Sequence, residues 1–438
     1  MNASGGGPSA DAILSRLEGR GIRLGLERMR WLLADLGSPE RAVPAVLVAG
    51  SNGKGSTSAL LAAIVQAAGC RTALYTSPHL EAVEERLRLD GRAIPSGRLV
   101  EILERMLAAA EAAGEEPPTY FEALTLAAFV WFAAEKAELA VLEVGLGGRL
   151  DATNVALPIL SLISSISLEH REILGDTLAA IAREKAGILR ASRPALAWIE
   201  APEARGMVRQ EADRLGTHLE MAPDRVRILE VRSRGWDGQE VDLETARGHY
   251  RLALALPGAH QLRNLGLAVA AAEALAGLGF PAIDVPAIER GVAACRWPGR
   301  LESVLLPGGK RVVLDAAHNA EGAEMLARFL AERRAESGEG YDLLIGILGD
   351  KDAAEMLAQL APRAERIVLT TPPSPRAQDP VHLATLVLSS APFEVIPDLA
   401  MALDHALATS ARPLIACGSI FLVGAVRGLL RERFGVPI

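Results

Sequence analysis

The chain has 438 residues, half of them hydrophobic and 23% charged, with a formal net charge of −8. That length favours two domains, each able to bury its own core without disulfide or metal staples, and the acidic balance argues against nucleic acid as the main partner. Three widely separated cysteines, Cys70, Cys295 and Cys417, form neither a disulfide framework nor a zinc-ligand spacing, and no run approaches the roughly 20 apolar residues of a membrane helix.

The opening M-N-A-S-G-G-G-P-S-A lacks a basic start and an apolar stretch, so it reads as a loose tail and not as a signal peptide. A cytoplasmic protein without nucleic-acid or membrane partners is expected, with a monomer as the working expectation. From Pro44 onward short apolar runs alternate with helical ones, the rhythm of a parallel sheet flanked by helices. Val46 to Ala49 reads as a strand, a Gly-rich turn follows, and Ser56 to Ala68 reads as a helix that Gly69 can end. Leu139 to Val144 and Ile159 to Ile166 are further strands, each running into a polar loop. Open parallel sheets place ligands beyond the carboxyl ends of their strands, so these loops should share one crevice. After Pro298 and Gly299 the rhythm restarts at Arg311 to Leu314, Leu343 to Leu348, Ile367 to Thr370 and Leu414 to Ala416, which predicts a second, smaller α/β domain.

Gly50-Ser51-Asn52-Gly53-Lys54-Gly55-Ser56-Thr57 lies between the first strand and its helix, where backbone N–H groups and the helix N-terminus can cradle phosphate. Lys54 would reach the β- and γ-phosphates, and Ser56 or Thr57 a Mg²⁺ ion. The strict Walker spacing is absent, because Val48 stands five places before Gly53, where that pattern has glycine, and Gly55 separates Lys54 from Ser56. Glu143 closes an apolar strand, the arrangement that holds a phosphate-bound Mg²⁺ opposite such a loop; a lone acid at a strand end is most often a helix cap or a solvated residue. Among 46 basic residues only five are lysine (Lys54, Lys136, Lys185, Lys310, Lys351), leaving 41 arginines. Lys185 sits in a helical stretch and reads either as a solvated face or as a position whose chemistry a guanidinium cannot supply.

Several motifs together resemble the folylpolyglutamate synthase/dihydrofolate synthase family, the folate branch of the Mur ligases. They are V-A-G-S-N-G-K-G-S-T from Val48, T-S-P-H-L from Thr76, E-V-G-L-G-G-R-L-D-A-T-N from Glu143 and G-D-T-L-A-A-I-A-R-E-K-A-G-I from Gly175. In the second half they are G-A-H-Q-L-R-N from Gly258, P-G-R-L-E from Pro298, L-D-A-A-H-N from Leu314, G-I-L-G-D-K-D from Gly346 and G-S-I-F-L-V-G from Gly418. The chain departs from the family pattern at Ser51 (usually Thr), Glu169 (usually Asp), Ala316 (usually Gly) and Ala320 (usually Pro).

The resemblance implies an α/β fold in which a P-loop parallel-sheet ATPase domain with the folate site, residues 1–296, precedes a smaller Rossmann-like glutamate-ligase domain, residues 297–438. It implies nucleotide binding by Asn52, Gly53, Lys54, Gly55, Ser56 and Thr57, with Asn264 at the adenine and Arg300 and Asp315 from the second domain. Two Mg²⁺ ions are expected, with Ser56, Ser77, Glu143, His170 and Lys185 as ligands, Lys185 being carboxylated to a carbamate. Lys54, Lys185 and His318 are the expected catalytic groups. Arg28, Phe121, Asp151, His318 and Ser419 are the expected substrate contacts, Gly25 to Arg28 and Thr119 to Glu122 forming the pterin side. The implied activity is ATP-dependent addition of L-glutamate to dihydropteroate, to the γ-carboxylate of reduced folates, or to both, through an acyl phosphate. Two rivals stand beside it. A cell-wall Mur ligase would carry a substantial domain before the P-loop, where this chain has 49 residues before Gly50; a P-loop ATPase switch would need neither the D-x-x-H-N loop nor Lys185.

Overall fold

The computed structural model describes residues 9–438 apart from Ile22. The chain is α/β and divides into two compact units. The first runs to Glu230 and takes in Val241–Leu252 and Leu262–Cys295; the second comprises Val231–Glu240, Ala253–Gln261 and Arg296–Ile438. Among the described residues no helix is long and apolar enough to cross a membrane.

In the first unit the strands are β1 (Ala45–Ala49), β2 (Thr72–Tyr75), β3 (Leu87–Leu89), β4 (Arg92–Ala93), β5 (Leu139–Glu143), β6 (Pro158–Ile163), β7 (Pro194–Ala197) and β8 (His218–Met221). They form one sheet in the order β4-β3-β2-β5-β1-β6-β7-β8. It is parallel from β2 to β8, with β3 and β4 antiparallel at one edge. Strand β1 is central and all five of its residues are buried, as the continuous apolar run Ala-Val-Leu-Val-Ala requires of a strand covered on both faces. The helix Lys54–Ala67 returns over the sheet. Helix Tyr120–Ala134 packs its aromatic and aliphatic side chains into the same core, started by a Thr119–Glu122 capping box.

A separate three-stranded sheet, β9 (Arg227–Ser233), β10 (Gln239–Thr245) and β11 (Gly248–Leu254), has the order β11-β10-β9. The second unit holds β12 (Glu302–Leu305), β13 (Arg311–Leu314), β14 (Asp342–Ile345), β15 (Arg366–Leu369), β16 (Phe393–Val395) and β17 (Leu414–Cys417), ordered β12-β13-β17-β14-β15-β16. All neighbours there are parallel except β12 and β13. Every residue of β14 and β17 is buried.

Several local expectations shift, among them the strand expected at Leu343 to Leu348, which runs Asp342–Ile345. Residues 1–8 of the expected tail lie outside the described residues, but Ser9 accepts a hydrogen bond from Ala12 N–H as the N-cap of helix Ala10–Glu18, whose Ala10 is in the core. The P-loop helix begins at Lys54 and not at Ser56, because Gly53 turns the chain with φ 83°. Strand β6 stops at Ile163, three residues early; beyond it, Ser164 and Ser165 keep backbone bonds to Ala49 and Ser51 while their hydroxyls turn onto the Asn52 carbonyl of the P-loop.

Candidate active site

The P-loop occupies the carboxyl end of β1. The Thr57 N–H makes the first intrahelical bond, to the Gly53 carbonyl at 2.9 Å, so the amides just before it have no carbonyl one turn back. No side chain caps this helix start, which leaves its N–H groups and dipole for an anion. A Cβ on Gly53 would stand 2.2 Å from Asn264 Oδ1, so glycine is what lets Asn264 lie against the loop, 211 residues away in sequence. Ser56 is 4% exposed and Thr57 fully buried.

Two lysines meet on one carbonyl. Lys54 Nζ donates to the Gly50 carbonyl (2.7 Å) and the Ser51 carbonyl (3.0 Å), and Lys185 Nζ donates to the same Gly50 carbonyl (2.8 Å). Lys185 also donates to Glu169 Oε1 at 2.6 Å, although its side chain is only 1% exposed. The solvated-face reading of Lys185 is therefore excluded. Burial pulls its pKa down to about 8; the Glu169 charge opposes that pull and the Lys54 charge adds to it. Burial would raise the Glu169 carboxyl, but the charges of Lys54 and Lys185 and its hydrogen bonds outweigh this and hold it at about 2.

Glu143 ends β5, paired beside Val48 of β1, and is 5% exposed. Its Oε2 accepts the Ser77 N–H at 3.0 Å, which ties the loop after β2 to the strand between it and the P-loop. His170 follows Glu169 on the loop after β6. It is exposed, with φ 44°, at the start of the short helix Arg171–Leu174. Lys54, Ser77, Glu143 and His170 thus come from the carboxyl ends of four adjacent parallel strands, β2, β5, β1 and β6.

The expected acceptor side is organised differently. Arg28 makes a two-point ion pair with buried Glu122, Nε to Oε2 at 2.9 Å and Nη2 to Oε1 at 3.0 Å, so its guanidinium ties the first turn of helix Glu27–Asp35 to the start of helix Tyr120–Ala134. Asp151, 5% exposed, has both oxygens engaged within its own loop. Oδ2 accepts Leu146 N–H (2.9 Å), and Oδ1 accepts the N–H and hydroxyl of Thr153 (3.0 and 2.6 Å). In this structure it holds the Gly-rich loop, and burial raises its carboxyl pKa. Phe121 is half-buried, its ring 6.0 Å from that of Tyr75. A Cβ on Gly145 would stand 2.5 Å from Phe121 Cζ, so the ring lies directly on the Glu143–Gly148 turn.

In the second unit the predicted residues also gather at strand ends. Asp315 follows β13 and is 7% exposed; it accepts Leu301 N–H (2.9 Å) and Ala317 N–H (3.0 Å). Burial raises its pKa, and the Arg300 charge works against that rise. His318 Nδ1 lies 2.9 Å from the Ala316 carbonyl; a carbonyl only accepts, so Nδ1 carries a proton. Gly418 N–H donates to the Ala317 carbonyl at 3.0 Å, which joins the loops after β13 and β17. Ser419 is fully buried as the N-cap of helix Ile420–Phe434, its Oγ accepting Phe421 N–H at 3.2 Å.

Among the described residues no three His, Cys, Asp or Glu side chains cluster as a metal cage. The donors at the P-loop are hard oxygens, the Ser56 and Thr57 hydroxyls and the Glu143 carboxylate, and Thr57 Oγ1 is buried without a hydrogen-bond partner. That set fits a Mg²⁺ ion that keeps phosphate and water in its shell better than one caged by protein alone. Sequence reasoning missed the serines after β6 and the Glu122 partner of Arg28. The first had a signal, the run Ser164-Ser165-Ile166-Ser167 at a strand end; the second had none.

Residues 48–272 match the Mur ligase middle domain and residues 299–424 the Mur ligase glutamate ligase domain. The chain is 33% identical to the dihydrofolate synthase/folylpolyglutamate synthase of Bacillus subtilis, covering 94% of this chain and 96% of that one. It is 35% identical to a probable bifunctional folylpolyglutamate synthase/dihydropteroate synthase of Haloferax volcanii over 93% of its own length, and it spans about half, 48%, of that longer relative. It superposes on the Escherichia coli FolC structure in complex with DHPP and ADP with a TM-score of 0.84 and 31% identity, over 97% and 98% of the two chains. Coverage of this extent, with the P-loop, the Glu143 turn and the Asp315 loop all inside the matched segments, places the chain in the dihydrofolate synthase/folylpolyglutamate synthase family of Mur ligases.

Proposed function

We propose that the chain uses ATP to join L-glutamate to a pterin-bearing acid, dihydropteroate or a reduced folate, and that both acids are substrates. The observation that carries this reading is the meeting of Lys54 and Lys185 on the Gly50 carbonyl, with Glu143 one strand away. A carboxylate is a poor acylating agent because oxide leaves badly. The acid's oxygen therefore attacks the γ-phosphorus, the bond to the β-bridging oxygen breaks, and ADP departs. Glutamate nitrogen then attacks the acyl carbon, phosphate leaves, and the nitrogen loses its proton. Lys54 and the open amides of the P-loop helix neutralise charge that develops on the phosphoryl oxygens.

Magnesium, held by Ser56 and Glu143 at one position and by Ser77, His170 and a Lys185 carbamate at a second, would supply Lewis-acid charge neutralisation at the phosphates. The carbamate forms when the neutral Lys185 amine adds CO₂ and releases a proton. A pKa of about 8 leaves roughly a quarter of the amine neutral near pH 7.5, far more than an ordinary lysine. Arg300, Asp315, His318 and Ser419 serve the nucleotide and glutamate from the smaller, C-terminal domain, taken as residues 297–438. Phe121 stacks on the pterin, while Arg28 and Asp151 act by holding the walls of that site.

The test is substrate dependence. ATP consumption should require both glutamate and dihydropteroate or tetrahydrofolate, and hydroxylamine should trap the acyl phosphate. ATP hydrolysis indifferent to both substrates would overturn the ligase reading and favour a P-loop switch. Lys185→Arg should abolish turnover while the protein stays folded, and ¹³C-bicarbonate should give a carbamate NMR signal in the wild type alone, stronger as pH rises through about 8 at fixed dissolved CO₂.

A further inference from the structure

The loop after β6 grips the P-loop through a set of serine hydroxyls that neither the phosphate nor the metal chemistry uses. Ser51 N–H donates to the Ser165 carbonyl at 2.9 Å. The Ser51 hydroxyl donates to the Ser167 carbonyl (3.2 Å) and accepts the Ser167 N–H (3.0 Å). The Ser164 and Ser165 hydroxyls both donate to the Asn52 carbonyl, at 2.7 and 2.8 Å. Ser165 Oγ also accepts the Asn52 N–H at 2.8 Å. One hydroxyl therefore closes a two-way exchange with a single peptide residue at the apex of the P-loop. The two loops are so close that a Cβ on Gly50 would stand 2.0 Å from Ser164 Oγ.

This exchange has a consequence for anion binding. The Asn52 N–H is turned toward Ser165, so the phosphate donors are the amides that follow it, at the start of helix Lys54–Ala67. Their convergence depends on where residue 52 is pinned, because the chain between Asn52 and the helix is one glycine long and Gly53 is a left-handed turn with φ 83°. Removing the Ser165 hydroxyl leaves the Asn52 carbonyl its bond from Ser164 but takes the acceptor from the half-buried Asn52 N–H, which is costly to the extent that water cannot replace it. The loop is then free to rotate that peptide.

We propose that Ser165 is a positioning residue for the nucleotide, acting through the Asn52 peptide to preorganise the P-loop amides. The Ser51–Ser167 pair carries the same register on to the Glu169–His170 segment. The proposal rests on the P-loop being the nucleotide site, and the experiment separates the two.

MgADP binding to the full-length protein would be measured by calorimetry without acceptor or glutamate, on wild type, Ser165→Ala and Ser165→Thr, with melting temperature recorded for each. Amide exchange at Asn52 and Thr57 would be followed by NMR. MgADP affinity should fall about tenfold in Ser165→Ala and recover in Ser165→Thr. Exchange at Asn52 should accelerate at least tenfold in Ser165→Ala while Thr57, bonded to Gly53, stays protected. In turnover, the KM for ATP should rise while that for glutamate holds. Equal MgADP affinity in wild type and Ser165→Ala, or unchanged Asn52 exchange, would overturn the assignment. So would equal losses in the alanine and threonine variants, since the hydroxyl would then not be the cause. A wild-type protein that binds no MgADP would instead sink the nucleotide reading itself.

Discussion

The two units present their functional loops at the carboxyl ends of parallel strands, yet they stabilise those loops by different means. At the P-loop of the first unit, full charges are taken out of water and set against each other: Lys185 is 1% exposed, paired with Glu169, and shares a carbonyl with Lys54. At the Asp315 and Ser419 loops of the second unit, polar groups are spent on backbone amides. Asp315 accepts Leu301 and Ala317, Asn319 accepts Gly322, and Ser419 caps its helix. Lys310, also in the second unit, follows that rule, its ammonium donating to the Ala406 and Leu407 carbonyls at a helix end. The first arrangement tunes protonation and demands exact partners. The second fixes shape through side-chain bonds to the backbone.

Stability measurements can break or sharpen that contrast. The largest effect is expected at Glu169, since removing one partner of a buried pair leaves the other charge uncompensated. Glu169→Gln should cost about 3 kcal/mol near neutral pH, read from urea unfolding in CO₂-free buffer, where Lys185 is the unmodified ammonium. The sign of its pH dependence follows from the depressed carboxyl. The contribution is complete above the ordinary value of 4.5, fades as pH falls toward about 2, and fades again as pH rises through about 8 and Lys185 loses its charge. A wild type to mutant difference that stays flat from pH 3 to pH 9 would mean the pair is solvated and the contrast false. Asp315→Ala should cost about 2 kcal/mol through two orphaned amides, with Asp315→Asn recovering part of it. Ser419→Ala should be the mildest, about 1 kcal/mol for a lost N-cap. A Ser419→Ala loss as large as that of Glu169→Gln would show that the second unit is also cooperatively wired.

Much of this was legible in the sequence wherever the signal was local. The strand, glycine turn and helix around Lys54 are written in consecutive residues, so β1 and the P-loop fall where periodicity and turn chemistry place them, within two residues. β13 coincides with the apolar run Arg311 to Leu314. The sheet β9 to β11 had no reading, because β10 and β11 bury only alternate residues and β9 buries none, in a polar stretch that lacks the long apolar runs of the parallel sheets. β6 was read too long because Ser164 and Ser165 belong to strand or loop according to whether a partner waits for their hydroxyls.

The amino-acid order by itself determined the α/β class, the two phosphate- and helix-forming loop types and the family to which the chain belongs, since each is encoded in runs of neighbouring residues. Tertiary structure alone decided which charges are buried and what they touch. Arg28 meets Glu122 across 94 residues, Lys185 reaches Gly50 across 135, and Asp151 turns inward onto its own loop. A side chain's pKa and reach depend on desolvation and on partners brought by the sheet from distant segments, and no local pattern carries that information.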